Sequence, residues 1–300
     1  MLQSINKRHT AVLHLMLLPA VVITLIYSYC PMFGIVMVFQ KFDPVRSFLN
    51  SPWIGLDNFR FIVNLPGSFQ VLWNTIYISL FKIIGLIIVP VTFALLLNDV
   101  RGKGFKRISQ TMVYLPNFLS WIILGGILID ILSPSEGIVN QLLGHIGIEP
   151  IFFLGDRFWF PITLIVTEIW KGFGFGTVIY LAALTNIDPT LYESSIMDGA
   201  NRWKQTLHIT LPGILPIVTL MTVLSLGNVL NAGFDQIFNL YSPQVYKTGD
   251  IIDTFVYRLG IEQAQYSPAA AVGLFKSVVS FIFISVSYLL ADKLANYRVF

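Results

Sequence analysis

Long apolar segments alternate along this chain with shorter polar connections. Six of the apolar segments are long enough to cross about 30 Å of hydrocarbon as helices. They cover residues 11–39, 71–97, 108–132, 160–185, 211–234 and 269–291. A backbone in lipid must satisfy its own hydrogen bonds, so each segment is predicted to be a transmembrane helix. The first is too long for a signal-peptide core, and no Ala-x-Ala site follows it, so we expect it to be retained.

The composition supports a membrane protein. Hydrophobic residues make up 55% of the chain and charged residues 12%, with a mean hydropathy of +0.72. Soluble domains carry about 25% charged residues, and this chain has too few polar side chains to cover a water-facing surface. The single cysteine, Cys30, excludes an intramolecular disulfide. No long linker or repeat is visible, so we predict one all-α integral membrane domain over residues 1–300.

Basic residues in the connections predict the orientation, because cytoplasmic loops are enriched in Lys and Arg. Ten lie at the termini and in the second and fourth connections: Lys7, Arg8, Arg101, Lys103, Lys106, Arg107, Arg202, Lys204, Lys293 and Arg298. Six lie in the longer loops of the other side: Lys41, Arg46, Arg60, Arg157, Lys247 and Arg258. Both termini and the polar segment 186–210 are therefore expected to be cytoplasmic. We see no basic stripe that indicates nucleic acid binding.

Residues 186–210 form a polar insertion between two apolar segments. Asp188 is a good N-cap and Pro189 a good first helical residue, which predicts a short helix ending near Met197. Gly199 then supplies a left-handed stop, and a second short helix is expected to lead from Ala200 into the next apolar segment. Residues 186–210 are therefore expected to form a compact knob of two short helices and a tight turn, to which a soluble partner can bind.

The same insertion resembles the EAA motif of ABC importer permeases. Five anchor residues fall at the motif's spacing: Glu193, Gly199, Ile209, Leu211 and Pro212. The chain departs from the motif at Ser194 and Ser195, which replace two alanines with side chains still small enough for close helix docking. The resemblance implies that the segment couples to an ATPase through Leu191, Glu193, Ser194, Ser195, Asp198, Gly199, Ala200 and Trp203.

Other segments narrow the resemblance to the type-1 carbohydrate uptake family. One loop is similar to a segment of sugar-importing permeases and contains Trp53, Gly55, Leu56, Asn58 and Phe59. Residues 257–261 and 265–276 are similar to the oligosaccharide and polysaccharide branch, which includes importers of alginate and pectin fragments. With residues 114–116 and the EAA motif, the resemblance covers nearly the whole chain. The resemblance implies a type I importer permease with six transmembrane helices and a cytoplasmic coupling helix, in a bacterial cytoplasmic membrane.

The family also implies partners. These are a second, non-identical permease subunit, two ATP-binding cassette subunits and an extracytoplasmic binding protein that delivers the oligosaccharide. This chain has no phosphate-binding loop, and its glycines at 172–176 lie in an apolar helix, where they favour helix packing. ATP and Mg²⁺ are therefore expected in the partner ATPase. The four histidines lack metal-ligand spacing, and we assign no catalytic residue and no cofactor.

A glycan path needs hydrogen-bonding side chains beside flat apolar surfaces. Asn228, Asn231 and Asp235 are spaced i, i+3 and i+7, which predicts one face of the fifth helix. Two interpretations stay open, since these groups either meet the sugar or hydrogen-bond neighbouring helices. Trp170 and Tyr180 on the fourth helix are further candidates, although single aromatic residues more often lie in the core or the interfacial belt.

Charges inside the membrane cost at least about 2.5 kcal/mol at mid-helix and therefore need a reason. Four such residues are Lys82, Glu168, Lys171 and Lys276. Glu168 and Lys171 are spaced to pair with each other, so structural neutralisation and substrate contact both remain open. Lys82 lies at the middle of its helix, and Lys276 lies nearer the surface. Both lysines suit an acidic glycan, and a neutral sugar is equally compatible.

We interpret the chain as a non-catalytic permease subunit that works by alternating access. Two alternatives remain at this point. An ion-coupled secondary carrier needs no cytoplasmic knob and usually buries an acidic pair, whereas a membrane scaffold has no transport role.

Overall fold

The computed structural model describes residues 2–100 and 102–295, and these residues are almost entirely helical. Their one extended pairing is an isolated bridge between Gln40 and Trp53. Arg101 and Arg298, which contribute to the basic-residue count, lie outside the described residues. The side chains of Lys7, Arg8 and Lys293 lie outside them as well.

Five helical stretches of the described chain are long and apolar enough to cross a membrane. They are Val12–Phe39, Ser68–Asp99, Trp159–Leu184, Arg202–Gly227 and Tyr266–Leu289. A sixth candidate is a bent pair, Lys103–Phe118 with Trp121–Ile131. The all-α membrane architecture is thus confirmed, with corrections to the third and fifth predicted spans.

Contacts divide the chain into two compact units, and the first contains residues up to 65 together with 256–274. It includes α1 (Leu2–Thr24), continued by a π-helical turn (Leu25–Tyr29) and a 3-10 stretch (Cys30–Phe39), then α2 (Ser47–Asn50), α3 (Asp57–Asn64) and a second π-helical turn (Arg258–Glu262). The Asn58 side chain donates to the carbonyls of Val38 and Gln40, at 2.7 and 3.0 Å. Asn58 therefore fixes α3 against the end of the first span.

The second unit contains residues 66–255 and those from 275 onward. Its helices, including two that cross the boundary between the units, are α4 (Ser68–Asp99), α5 (Lys103–Tyr114), α6 (Trp121–Ile131), α7 (Ile138–His145), α8 (Trp159–Leu184), α9 (Pro189–Met197), α10 (Arg202–Gln205), α11 (Leu211–Gly227), α12 (Phe234–Leu240), α13 (Tyr246–Gly249), α14 (Ile252–Tyr257) and α15 (Tyr266–Ala295). Shorter 3-10 and π turns lie at Leu115–Phe118, Thr206–Thr210 and Pro243–Val245.

The third predicted span, residues 108–132, is not one helix. After α5 the chain makes a 3-10 turn at Leu115–Phe118, and α6 then leaves at an angle of 103°. Pro116 removes a backbone donor at the break, and Ser120 starts a new helix by accepting a hydrogen bond from the Ile123 N–H at 3.3 Å. Hydropathy alone could not separate the two helices, because both sides of the break are apolar.

The fifth predicted span, residues 211–234, also ends early. α11 stops at Gly227, and the chain is unwound over residues 228–233 before α12 begins. Gly233 has φ +95°, a left-handed conformation that a helix cannot contain. Asn228, Asn231 and Asp235 therefore do not share a helical face, and that part of the prediction was wrong.

Close packing of α4 against α8 forms the centre of the second unit. A Cβ atom on Gly172 would lie 2.9 Å from Leu86, and one on Gly176 would lie 3.1 Å from Pro90. Helices approach this closely in membranes where small residues line the contact. The glycines at 172 and 176 therefore act as packing positions, as the sequence indicated.

Candidate functional site: a helical knob and a polar cleft

The segment 186–210 folds as two short helices joined by a left-handed glycine. The first is α9, which begins at Pro189 and ends at Met197 as predicted. The Asp188 carboxylate accepts a hydrogen bond from the Thr190 N–H at 2.9 Å, and this bond lowers the pKa of Asp188. Gly199 has φ +74°, which confirms the predicted turn. α10 follows and is capped in turn by Asn201.

Hydrogen bonds fasten the two helices of the knob to each other. Ser195 accepts a bond from the Gln205 side-chain amide at 2.9 Å and donates to the Tyr192 carbonyl at 2.8 Å. The Tyr192 hydroxyl lies 3.0 Å from that of Thr210, at the start of the next span. Ser195, which stands where the EAA motif has alanine, thus adds a hydrogen bond between the two helices. The knob is held as one body by its own side chains.

The outer surface of the knob is apolar and exposed. Met197 is 87% exposed and Trp203 is 73% exposed. Trp203 is a predicted coupling residue, and the remaining ones are exposed or half-buried: Leu191, Glu193, Ser194, Ser195, Asp198, Gly199 and Ala200. Exposed apolar side chains with polar residues around them are typical of a protein-docking surface.

One helical stretch joins the knob to the interior of the unit. α10 continues through the π turn into α11, so that residues 202–227 form 26 helical residues, about 39 Å long. The stretch ends at the unwound segment 228–233. The knob and residues 228–233 are therefore the two ends of one helical stretch.

The unwound segment borders a cleft of about 290 Å³. Its lining comes from α4, α8, α11 and the unwound segment itself: Ser79, Lys82, Ile83, Leu86, Glu168, Leu224, Ser225, Asn228, Asn231, Ala232 and Gly233. Four groups on this wall are predicted or highlighted by the sequence, namely Lys82, Glu168, Asn228 and Asn231. Amide, hydroxyl and charged groups beside aliphatic ones suit a polyhydroxylated ligand.

Lys82 lies at the wall of the cleft, with its side chain only 6% exposed. Its ammonium donates to the Ala232 carbonyl at 2.7 Å and to the Gln236 side-chain oxygen. It also lies 3.5 Å from the carboxylate of Glu168, whose side chain is 24% exposed. Gln236 continues the network by donating to Leu164 and Thr167 on α8, both at 2.8 Å. The buried charge is thus paired and hydrogen-bonded, as a stable buried charge requires.

Lys276 contacts the same unwound segment at Asn231, next to the residue that Lys82 binds. Its ammonium donates to the Asp253 carboxylate at 2.5 Å and to the Asn231 side-chain oxygen at 2.8 Å. Asn231 in turn donates to the Asn228 side chain at 3.3 Å. Lys276 is therefore placed behind the lining asparagines. The unwound segment is held by two lysines, each neutralised by a carboxylate from another helix.

Three predicted path residues lie away from the cleft. Tyr180 is 2% exposed and packs in an apolar cluster with Ala94 and Ile214, so its assignment to a ligand surface was wrong. Tyr180 lies on the face of α8 that packs against α4 and α11. Asp235 is exposed in the first turn of α12, and Trp170 is partly exposed on α8, but neither lines the cleft.

The expected Glu168–Lys171 pair is replaced by another arrangement. Glu168 pairs with Lys82 across the α4–α8 contact. Lys171 instead donates to the Asn117 carbonyl at 3.2 Å and lies 5.6 Å from the centre of the Trp121 ring. Spacing along one helix allowed the pair, but a partner on a neighbouring helix took its place.

Several residues of the site were not predicted. Ser79 and Ser225 line the cleft, Gln236 binds Lys82, and Asp253 binds Lys276. The spacing of Ser79, Lys82 and Leu86 on one face of α4 was a readable signal. Gln236 and Asp253 gave none, because their partners lie on other helices and spacing along one helix cannot relate them. Within the described residues, no group of three His, Cys, Asp or Glu side chains could hold a metal ion.

Comparison with known proteins agrees with this geometry. Residues 83–296 match the family described as "Binding-protein-dependent transport system inner membrane component". The polygalacturonan/rhamnogalacturonan transport system permease protein YteP of Bacillus subtilis (strain 168) is 39% identical over 281 residues, which cover 94% of this chain and 88% of YteP.

Two solved structures are also similar. One is a bacterial ABC transporter involved in the import of the acidic polysaccharide alginate, with a TM-score of 0.89, 37% identity and coverage of 96% of this chain and 98% of that chain. The other is a bacterial alginate ABC transporter in complex with an alginate pentasaccharide-bound periplasmic protein, with a TM-score of 0.89, 36% identity and 98% coverage of both chains. Knob, cleft and similarity lead to one conclusion: the chain belongs to the family of inner membrane components of binding-protein-dependent transport systems, the permease subunits of ABC transporters.

Proposed function

We propose that this chain forms half of the translocation path of an ATP-driven importer for an oligosaccharide or polysaccharide fragment. The carrying observation is the continuous helical stretch that joins an exposed knob to a polar cleft. The relatives support the substrate class, since YteP is named for pectin-type glycans and the similar structures for alginate.

The two ends of this connection support a set of partners. The apolar surface of the knob fits a docking site on an ATP-binding cassette subunit, which binds ATP and Mg²⁺. We expect a second permease subunit to complete the cleft, which α4, α8, α11 and the unwound segment line in this chain. An extracytoplasmic binding protein delivers the glycan, as a periplasmic protein does for the similar alginate transporter.

Transport then follows from alternating access. Closure of the two ATPase subunits displaces the knob, and the stretch 202–227 transmits the displacement to residues 228–233. These residues carry Asn228 and Asn231 on the cleft wall, so ligand contacts change when the knob moves. Family membership decides against an ion-coupled carrier and a scaffold without transport role.

The membrane placement of the chain is testable by labelling. We propose that both termini and the knob are cytoplasmic and that α7 is outside. After replacement of Cys30 by Ser, a cysteine at Gly144 is expected to react with an impermeant thiol reagent in intact cells. A cysteine at Gly102 is expected to react only after the membrane is opened. Both glycines are exposed, so accessibility within the fold does not limit the reaction. The reverse pattern overturns this placement.

The function itself is tested by reconstitution. The chain is purified with its partner permease, ATPase and binding protein and is placed in liposomes that contain ATP. Uptake of labelled oligosaccharides that requires both ATP and binding protein is the expected result. Uptake driven by an ion gradient without ATP contradicts the proposal.

A further inference from the structure

Lys171 differs from the other intramembrane lysines of the described chain in its partners. Lys82 is neutralised by Glu168 and Lys276 by Asp253. Lys171 contacts the Asn117 carbonyl and the Trp121 ring, and no described carboxylate lies within 4 Å of its ammonium. A charge at membrane depth is costly and marks a functional site unless something neutralises it. An anion that balances this charge therefore has no source among the described carboxylates.

The position of Lys171 on α8 shows where that anion can approach. Gly172 and Gly176 press α8 against α4, and Gly174 presses it against the Val113 carbonyl of α5. Between these two contacts α8 presents a partly open face at i, i+3 and i+7, which carries the half-buried Glu168 and Lys171 and the exposed Phe175.

Glu168 belongs to the cleft wall, so the open face starts at the cleft. Lys171 lies one turn further toward the knob end of the helix. Phe175 follows after another turn and is 57% exposed. The face thus continues from the cleft toward the knob with a cation and then a flat aromatic surface.

These two features together fit one kind of sugar. A pyranose ring packs its C–H face on an aromatic ring, and a carboxylate on that ring binds an ammonium through a charge-assisted hydrogen bond. A neutral sugar would use Phe175 but leave the Lys171 charge without an anion.

We propose that Lys171 recognises the carboxylate of a uronate unit, so that this chain favours acidic oligosaccharides over neutral ones. The proposal rests on the oligosaccharide import proposed above. In it, Lys171 is a specificity-determining residue, and the Lys82–Glu168 pair contributes no net charge to the path. A carboxylate of the partner permease is the rival source of the anion.

The test compares Lys171→Met, Lys171→Arg and the control Lys103→Met in the reconstituted complex. Lys103 is an exposed lysine at the start of α5, so its replacement removes a charge away from the open face of α8. The probes are oligogalacturonates and oligoalginates of three to five units, each with its carboxyl-methylated form. ATP-dependent uptake, basal ATP hydrolysis and complex yield are measured for every variant.

Lys171→Met is expected to lower uptake of the acidic form at least about ten-fold, the loss of a hydrogen bond to a charged group. Uptake of the methylated form changes less than about two-fold, and Lys171→Arg retains the preference for acid. Basal ATP hydrolysis, complex yield and the Lys103→Met variant stay as in the wild type.

Three results overturn the proposal. If Lys171→Met lowers complex yield and lowers the uptake of both forms alike, the partner of Lys171 is a carboxylate of the partner permease. Equal uptake of both forms before and after the substitution removes Lys171 from recognition. A wild type that takes up only the methylated probes or neutral glycans excludes acid selection but leaves oligosaccharide import intact. If the complex takes up no oligosaccharide in the presence of ATP, the proposed function itself fails.

Discussion

The knob and the cleft are built in opposite ways. In the knob, hydrogen bonds link close neighbours in sequence: Asp188 binds the amide two residues on, and Asn201 the amide three residues on. In the cleft, Lys82 reaches a carbonyl 150 residues away, and Gln236 binds α8 across 72 residues. The knob is therefore encoded locally, whereas the cleft exists only when several helices have assembled.

This difference predicts which defects a substitution causes. A change in the knob leaves the helices of the second unit packed and alters how a partner is held. A change in the cleft network alters helix packing and ligand contacts together. Substitutions in the knob should therefore lower transport without lowering complex yield, whereas substitutions in the cleft network should lower both.

The largest expected effect is that of Lys82→Met. It leaves Glu168 without a cation and the Ala232 carbonyl without a donor, and breaking a buried pair costs about 3 kcal/mol or more. The cost is lower here than for a fully buried pair, because Glu168 is 24% exposed. We expect a reduced complex yield, a lower melting temperature in detergent and a loss of uptake.

A matched double variant sharpens the result for Lys82. Lys82→Met with Glu168→Gln removes both charges and should recover part of the thermal stability. If the double variant is less stable than Lys82→Met alone, the ion pair is not what stabilises the α4–α8 contact.

Gly199→Val is expected to have the next largest effect, confined to coupling. Nothing lies within 4 Å of an added Cβ, so the cost of about 1–2 kcal/mol comes from the left-handed backbone and not from a clash. Complex yield should stay near wild type, while ATP-dependent uptake falls at least about ten-fold as α10 is misdirected.

Asparagine provides the control for Gly199, because it tolerates the left-handed conformation. Gly199→Asn should retain most of the uptake. If the valine and asparagine variants lose uptake equally, the knob requires that residue 199 has no side chain, and the left-handed turn is not the reason.

Asn228→Leu is expected to act on the ligand with a smaller effect. Its side chain lines the cleft and accepts a weak bond from Asn231, so a lost sugar contact corresponds to about 0.5–1.5 kcal/mol. Uptake should require a several-fold higher concentration of loaded binding protein, with yield unchanged. The control Thr222→Val removes a hydroxyl that bonds only within α11. A drop in yield for Asn228→Leu without a change in uptake per complex supports packing between helices.

The smallest expected effect is that of Asp188→Ala, which removes the cap of α9. Faster hydrogen exchange at the amides of Thr190 and Leu191 measures the loss, with only a mild decrease in uptake. The hydrogen bond lowers the folded-state pKa of Asp188, so its stabilisation is present above the unfolded pKa and is lost as pH falls through the folded value. Exchange in the wild type and in Asp188→Ala should therefore converge in acid. A constant difference across that range argues against the carboxylate cap.

Local patterns predicted the parts of the fold that depend on neighbouring residues. α9 begins and ends at the residues indicated by Pro189 and Gly199, since caps and glycine conformations act within one turn. The break at Gly227 was missed, and residues 108–132 were predicted as one span although Pro116 was expected to bend it or mark its end. Hydropathy records burial in lipid or protein but does not record helix direction, so a re-entrant bend inside an apolar run leaves little signal.

Which charges pair was also decided by proximity in space and not by proximity in the sequence. Glu168 and Lys171 are close in sequence, yet each found a partner on another helix. Asn228 and Asn231 meet at the cleft although the helix predicted to align them ends at residue 227. The two asparagines thus lie together at the cleft, but not on the helical face that the sequence predicted.

The sequence by itself determined that this is a helical membrane permease with a two-helix knob, because composition, apolar length, caps and motif spacing are local properties. Only the tertiary structure decided which charges are neutralised. It placed Lys82 with Glu168, placed Lys276 with Asp253 and left Lys171 without a carboxylate among the described residues. The reason is physical: electrostatic and hydrogen-bond energies depend on distance in space, and the paired groups lie on different helices, so spacing in the sequence does not give that distance.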